Sequence, residues 1–277
     1  MTVVEALSWG KARLSLHSST PRLDAEVVLS HLLGIDRAAL LARPAHQLDP
    51  EAQNDYRRLI DRREHGEPVA YLTGHKEFYG LDLIVTKDVL VPRPETESLV
   101  EACLEALPEH KVASFADIGT GSGAILVAVA VHRPYIRAYG TDISPQAIDI
   151  ARQNCERHGV ADRVSLYVGR LLSPFSGPVE VIAANLPYVP PGEAEPDVAT
   201  WEPHVAVFGG GDDGADTIRD FLTQAPAYLL TGGTIVMETA HSQGKIVSSL
   251  ARAAFPNAGV EVRKDLAGYD RIVLIKT

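Results

Sequence analysis

Along the first seventy residues the apolar positions recur at helical spacing. Val3, Val4, Leu7, Leu14 and Leu16 form a broken stripe. Thr20-Pro21 opens a second segment, apolar at Leu23, Val27, Val28, Leu32 and Leu33 and closed by Gly34. Cap, first-turn proline and terminal glycine thus stand in helical order. Asp49-Pro50 starts a third helix that runs to His65-Gly66. No strand-like alternation interrupts this stretch. Between Ala70 and Arg93 the period changes. Phe78 to Val85 and Val89 to Val91 are β-rich, and a turn is predicted at Lys87-Asp88. Pro92 and Pro94 then stiffen a short connector.

Beyond position 94 strands and helices alternate. Strands are predicted at 114–118, 137–141, 163–168, 179–184, 233–239, 260–265 and 270–276. Helices are predicted at about 95–107, at Ala124–Val131, from Ser144-Pro145 to near Gly159, at about 215–230 and near 243–254. Such alternation produces a parallel sheet covered on both faces. The last two strands have no helix between them and should pair antiparallel. The chain therefore divides into a small helical domain at 1–70, a β-hairpin linker at 71–93 and an α/β domain at 94–277.

Composition narrows the class. Hydrophobic residues are 45% and charged residues 22%, ordinary values for a globular protein. The 26 basic and 36 acidic side chains leave a net charge of -10. Up to position 70 there are 9 basic and 10 acidic residues, so nearly all the excess lies beyond it. A bulk nucleic-acid binder needs the opposite balance. The Arg57, Arg58, Arg62 and Arg63 cluster is the one local exception. Cys103 and Cys155 are too few for a disulfide scaffold and read as small buried thiols. The ten histidines lack metal-ligand spacing, so no metal site is proposed. No uninterrupted signal-peptide core or apolar run of ~20 residues occurs. The expectation is a soluble cytoplasmic protein without a membrane partner.

Two segments carry candidate chemistry. Asp117-Ile-Gly119-Thr120-Gly121-Ser122-Gly123-Ala124 sits where a strand turns into a helix. Glycines there let the backbone approach a ligand, and the helix N-terminus favours polar groups. Asp142, at the tip of the next strand, can accept both ribose hydroxyls of a nucleotide. This loop alone leaves a nicotinamide dinucleotide and S-adenosylmethionine both open.

The second segment follows the fourth strand: Asn185-Leu186-Pro187-Tyr188. Ligands of open α/β sheets bind at the carboxyl ends of the strands. A planar NH2 group offers two N–H donors, which the Asn185 side-chain oxygen and the Leu186 carbonyl can accept. Its nitrogen is then aimed at a methyl donor. Pro187 stiffens the turn and Tyr188 offers a face to a flat substrate. Together the two segments describe a class I S-adenosylmethionine-dependent methyltransferase acting on a planar nitrogen, in which positioning dominates over acid–base chemistry.

The sequence resembles the HemK/PrmC-type protein-(glutamine-N5) methyltransferases that modify peptide chain release factors. The likeness runs through Ser19–Glu26, Tyr71–Gly80, Leu90-Val-Pro-Arg-Pro-Glu-Thr-Glu97, the 117–124 loop, Asn185–Tyr188, Gly209–Asp216, Lys264–Gly268 and Asp270-Arg271. It implies a Rossmann-like, seven-stranded sheet with an antiparallel last strand. It also implies methylation of the glutamine in the release factor's Gly-Gly-Gln motif, docked by the helical domain, with S-adenosylhomocysteine as product. By that likeness Gly119 to Gly123 and Asp142 hold the cofactor and Asn185 to Tyr188 hold the glutamine, with Asn185, Pro187 and Tyr188 catalytic; Arg170 and Asn185 are further candidates on the cofactor side.

Three positions depart from the family pattern. Leu186 replaces a proline of Asn-Pro-Pro-Tyr. Gly169-Arg170 stands where an acidic residue would face adenine, and Ala240 replaces a glycine. Asn-Leu-Pro-Tyr also resembles the turn of rRNA adenine dimethyltransferases. An adenine-N6 methyltransferase acting on RNA or DNA therefore stays open as an alternative. A nicotinamide-dependent oxidoreductase is a third reading, but it has no use for the Asn185 turn.

Overall fold

A computed structural model describes residues 1–265 and 267–277. The chain forms two compact units, Met1–His75 and Lys76–Thr277. The unit Met1–His75 is helical: α1 (Val3–Leu14), α2 (Pro21–Leu33), α3 (Arg37–Leu41), α4 (Pro50–Glu64) and α5 (Val69–Thr73). Its core gathers Val3, Ala6, Leu14, Ala25, Val28, Leu29, Tyr56 and Ile60, all buried. The helix starts follow the expected chemistry. Asp49 caps α4 by accepting from the Ala52 N–H at 2.7 Å, with Pro50 in the first turn. Gly34 ends α2 at φ +62°, a left-handed conformation that favours glycine.

Three of the four clustered arginines are ion-paired inside this unit. Arg58 pairs with Asp55, Arg62 with Glu67, and Arg63 with Asp24, while Arg57 lies over the Trp9 ring. Asp24 also accepts from Ser18 and Thr20 hydroxyls, and buried Glu26 gathers Arg22 and Arg37. The Ser19–Glu26 string thus builds an ion-pair framework within the helical unit.

A two-stranded sheet follows, β1 (His75–Phe78) and β2 (Leu81–Ile84). Its turn is Tyr79-Gly80, not Lys87-Asp88. Both turn residues have positive φ, +51° and +74°, as a two-residue hairpin loop with the twist of its strands requires. At Lys87-Asp88 the chain does turn, through a Thr86 hydroxyl that accepts from the Asp88 N–H at 3.2 Å. Val89–Val91 is not a strand.

The remaining elements are α6 (Glu97–Ala106), β3 (Ala113–Ile118), α7 (Ala124–His132), β4 (Ile136–Asp142), α8 (Pro145–Arg157), β5 (Val164–Val168) and β6 (Val179–Ala184). After them come α9 (Pro196–Trp201), α10 (His204–Val207), α11 (Asp216–Gln224), β7 (Leu229–Glu238), α12 (Gly244–Ala254), β8 (Gly259–Lys264) and β9 (Asp270–Lys276). The seven-stranded sheet runs β5-β4-β3-β6-β7-β9-β8, with β9 antiparallel to both neighbours. Short helices α9 and α10 lie in the proline-rich segment that follows β6.

Alternate residues of the central strands enter different cores. Phe115, Val181, Ala183 and Val236 pack with α6 and α7, whereas Ala116, Ile118, Ile182 and Met237 pack with α11 and α12. Both faces are covered, which explains the near-continuous apolar runs. Cys103 and Cys155 are buried free thiols, and burial pushes the Cys155 thiol up to about 12. Among the described residues no helix is long and apolar enough to cross a membrane.

Candidate active site

Strand order places the site. The chain moves outward from β3 through β4 to β5, then returns to the other side of β3 as β6, so the switch point lies between β3 and β6. There Ile118 pairs with Ala184 in register. Gly119 and Asn185, the next residue of each strand, therefore emerge side by side. Met237 of β7 pairs with Ala184 in turn, which brings Glu238 level with Asn185.

The glycine loop is held by buried polar contacts. Asp117, fully buried, accepts from the Thr120 hydroxyl at 2.6 Å, and burial raises its pKa from 3.8 to about 7. Asp142 accepts from the Gly121 N–H and the Ser144 N–H, each at 2.9 Å. Burial also raises the Asp142 carboxyl, against those backbone donors. The carboxylate keeps lone-pair capacity for a further donor. Asn154, fully buried, donates to the carbonyls of Ser122 at 2.8 Å and Ile84 at 2.9 Å, tying the loop to β2.

A cavity of about 400 Å³ opens over this loop, a size that ligand sites commonly take. Gly119, Gly121, Asp142, Arg170, Asn185, Leu186 and Pro187 line it. Gly121 has φ +55° and open space where a Cβ would stand. Thr120, Ser122 and Gly123 do not line it. Thr120 and Ser122 are buried, and a Cβ on Gly123 would meet Ala151 at 3.2 Å. These three shape the loop from behind. Arg170, half-exposed at the rim, is paired with Asp220.

A second cavity, of about 520 Å³, lies on the other side of the Asn185 turn. Asn185, Leu186 and Pro187 line both cavities, and Tyr188, Glu238, Arg93 and Arg271 line only the second. Glu193 and Glu195, from the proline-rich segment, also reach this wall. His241 stacks edge-on with Tyr269 and lines neither cavity.

Asn185 is held from one side. Its Nδ2 donates to the Thr96 hydroxyl and to Glu238 Oε2, both at 3.2 Å. Tyr188 donates its hydroxyl to Glu238 Oε1 at 3.3 Å. Thr96 belongs to the Pro-Arg-Pro-Glu-Thr-Glu string, whose Arg93 pairs with buried Glu202. Behind the turn, Gln243 Nε2 donates to the carbonyls of Tyr188 at 2.8 Å and Asp213 at 2.7 Å. A Cβ on Gly209 would stand 2.6 Å from the Pro187 carbonyl, so the 209–214 glycines let their loop close on the turn. Leu186 is buried at 3% exposure and seals this packing without a second proline.

Thr96, Glu238 and Gln243 hold the Asn185 turn by hydrogen bonds and are not part of either motif. Thr96 stood inside the most specific string, and Glu238 was visible as a charge ending an apolar strand. Gln243 carried no signal beyond its place before Gly244. The Lys264–Gly268 segment of the resemblance includes Leu266, which lies outside the described residues.

Comparison with known proteins agrees with this geometry. Residues 5–74 match the PrmC N-terminal domain model, and residues 95–187 match that of the ribosomal protein L11 methyltransferase (PrmA). The latter span holds the glycine loop, Asp142 and the first three residues of the Asn185 turn. A solved methyltransferase from Pyrococcus furiosus shares the fold, with a TM-score of 0.55 at 17% identity over 78% of this chain and 96% of its own. A release factor glutamine methyltransferase of Moorella thermoacetica is 42% identical over 99% of this chain and 98% of the relative. One of Coxiella burnetii is 36% identical over 100% and 99%. Since these likenesses run the length of both units, the chain belongs to the release factor glutamine methyltransferase family.

Proposed function

We propose that the protein transfers a methyl group from S-adenosylmethionine to the side-chain amide nitrogen, N5, of the glutamine in the Gly-Gly-Gln motif of peptide chain release factors. The observation that carries the reading is the orientation of Asn185. With Nδ2 turned back onto Glu238 and Thr96, Oδ1 is left as an acceptor on the wall common to both cavities. Oδ1 and the Leu186 carbonyl then take the two N–H groups of the glutamine amide, and its nitrogen faces the first cavity. Tyr188 walls the glutamine side.

The residues of the first cavity fit that cofactor. Open space at Gly121 admits close backbone approach, and Asp142 keeps lone-pair capacity for a ribose hydroxyl. When bound, S-adenosylmethionine supplies a methyl group already activated on a sulfonium. The chain's task is then to align the amide and exclude water. Arg170 lines this cavity where the family carries an acidic residue; its guanidinium only donates, so it can meet acceptor nitrogens of adenine, and the exocyclic amine is left to other acceptors.

In this reading residues 1–70 dock the release factor, 71–93 link, and 94–277 carry the chemistry. The free buried thiols Cys103 and Cys155 support a reducing, cytoplasmic setting. The test offers the protein methyl-labelled S-adenosylmethionine with a purified release factor and, separately, with rRNA. Label on the Gly-Gly-Gln glutamine is expected; label on rRNA alone overturns the reading.

A further inference from the structure

We propose that Glu238 is a positioning residue that sets the polarity of Asn185: its carboxylate takes an Nδ2 hydrogen and so leaves Oδ1 to the substrate amide. This rests on the glutamine reading above and assigns the control of that site to a residue outside the turn. Glu238 ends β7 at 2% exposure, beside Asn185 by strand register. Donors converge on it: Asn185 Nδ2 at 3.2 Å, the Tyr188 hydroxyl at 3.3 Å and the Thr96 hydroxyl. An ionised carboxylate can only accept. An Asn185 amide turned the other way would set Oδ1 against it, acceptor against acceptor. Thr96, whose hydroxyl can donate or accept, does not choose between the two orientations by itself.

Protonation would remove the enforcement. A neutral Glu238 carries an O–H that Asn185 Oδ1 can accept, so the amide is free to turn Nδ2 toward the substrate and meet its N–H with another donor. Arg271 from β9 favours the charged form, and Glu95 from the 94–96 turn and burial oppose it. Burial is the largest influence and holds the carboxyl above its ordinary 4.5. Activity supplied by the ionised form is present above that raised pKa and lost as pH falls through it.

The experiment compares wild type with Glu238→Gln on a release factor across pH, with cofactor affinity measured alongside. A glutamine can donate or accept and no longer enforces one orientation. The variant should lose kcat by about 10²-fold, as misplacement of a reacting group does. Its acid limb should disappear and its affinity for S-adenosylmethionine should hold. Wild-type kcat in the variant, or a loss of rate with the acid limb intact, overturns the proposal.

A second readout needs no substrate and no variant. The side-chain NH2 resonances of Asn185 in the wild-type protein should titrate with an apparent pKa above the ordinary carboxylate range. Resonances that ignore pH overturn the proposal. If wild type fails to methylate release factors, the functional reading fails in the first assay while this one still decides the role of Glu238.

Discussion

Replacing Asn185 with alanine separates substrate positioning from cofactor binding. The side chain makes two hydrogen bonds, to Thr96 and Glu238 at 3.2 Å, and presents one acceptor to the site. Its loss strips a buried carboxylate of one donor, which costs about 1.5–3 kcal/mol of stability for a hydrogen bond to a charged group. A domain stabilised by about 5–15 kcal/mol survives that loss. The lost acceptor should lower kcat by about 10²–10³-fold, the scale seen when one preorganised polar group is removed. Gly119, Gly121 and Asp142 are untouched, so cofactor affinity should change by no more than about threefold, ~0.7 kcal/mol. Methyl transfer to a release factor gives kcat, calorimetric titration with S-adenosylmethionine gives Kd, and a thermal melt confirms the fold. Equal losses in kcat and cofactor affinity would refute the assignment of Asn185 to the substrate amide.

Two further substitutions probe the supports of the site. Gln243→Ala removes the bridge between the Tyr188 and Asp213 carbonyls and should cost about 1 kcal/mol by leaving part-buried acceptors unmet, with kcat reduced and cofactor affinity kept. Denaturant unfolding and steady-state rates check it, and a variant with wild-type kcat counts against a clamped turn. Asp117→Asn tests the buried carboxyl. The unfolded chain releases that proton near the ordinary 3.8 and the fold holds it to about 7, so ionisation makes stability fall as pH rises through that window. The asparagine variant should show a shallower fall between about pH 4 and about pH 7 in denaturant unfolding. An unchanged slope would show that Asp117 does not titrate there.

What was legible in the sequence follows the physics that made it so. The strand–loop–helix at Asp117–Ala124 and the turn at Asn185 were visible because local chemistry writes them: glycines at positive φ, and a polar turn after an apolar strand. Their adjacency could be inferred from α/β topology, and the pairing of Ile118 with Ala184 realises it. The hairpin was misplaced because a charged pair, Lys87-Asp88, looked more like a turn than Tyr79-Gly80, where tyrosine adopts a φ that its side chain disfavours. Helices α9 and α10 were hidden by the prolines at 190, 191, 196 and 203. Glu238, Thr96 and Gln243 lie 53, 89 and 58 positions from Asn185 in the chain, and no periodicity joins residues so far apart. The Arg57–Arg63 cluster shows the converse: a charge run on a helix, read alone, concealed partners at Asp24 and Glu67.

The central claim is that the site recognises both N–H groups of one primary amide. The direct measurement is the mass and methyl position of a release factor after exhaustive turnover. A single methyl on the Gly-Gly-Gln glutamine nitrogen is predicted, because the product amide has lost one of the two hydrogens that the site holds. A second methyl on that nitrogen, or label on another side chain, would contradict it.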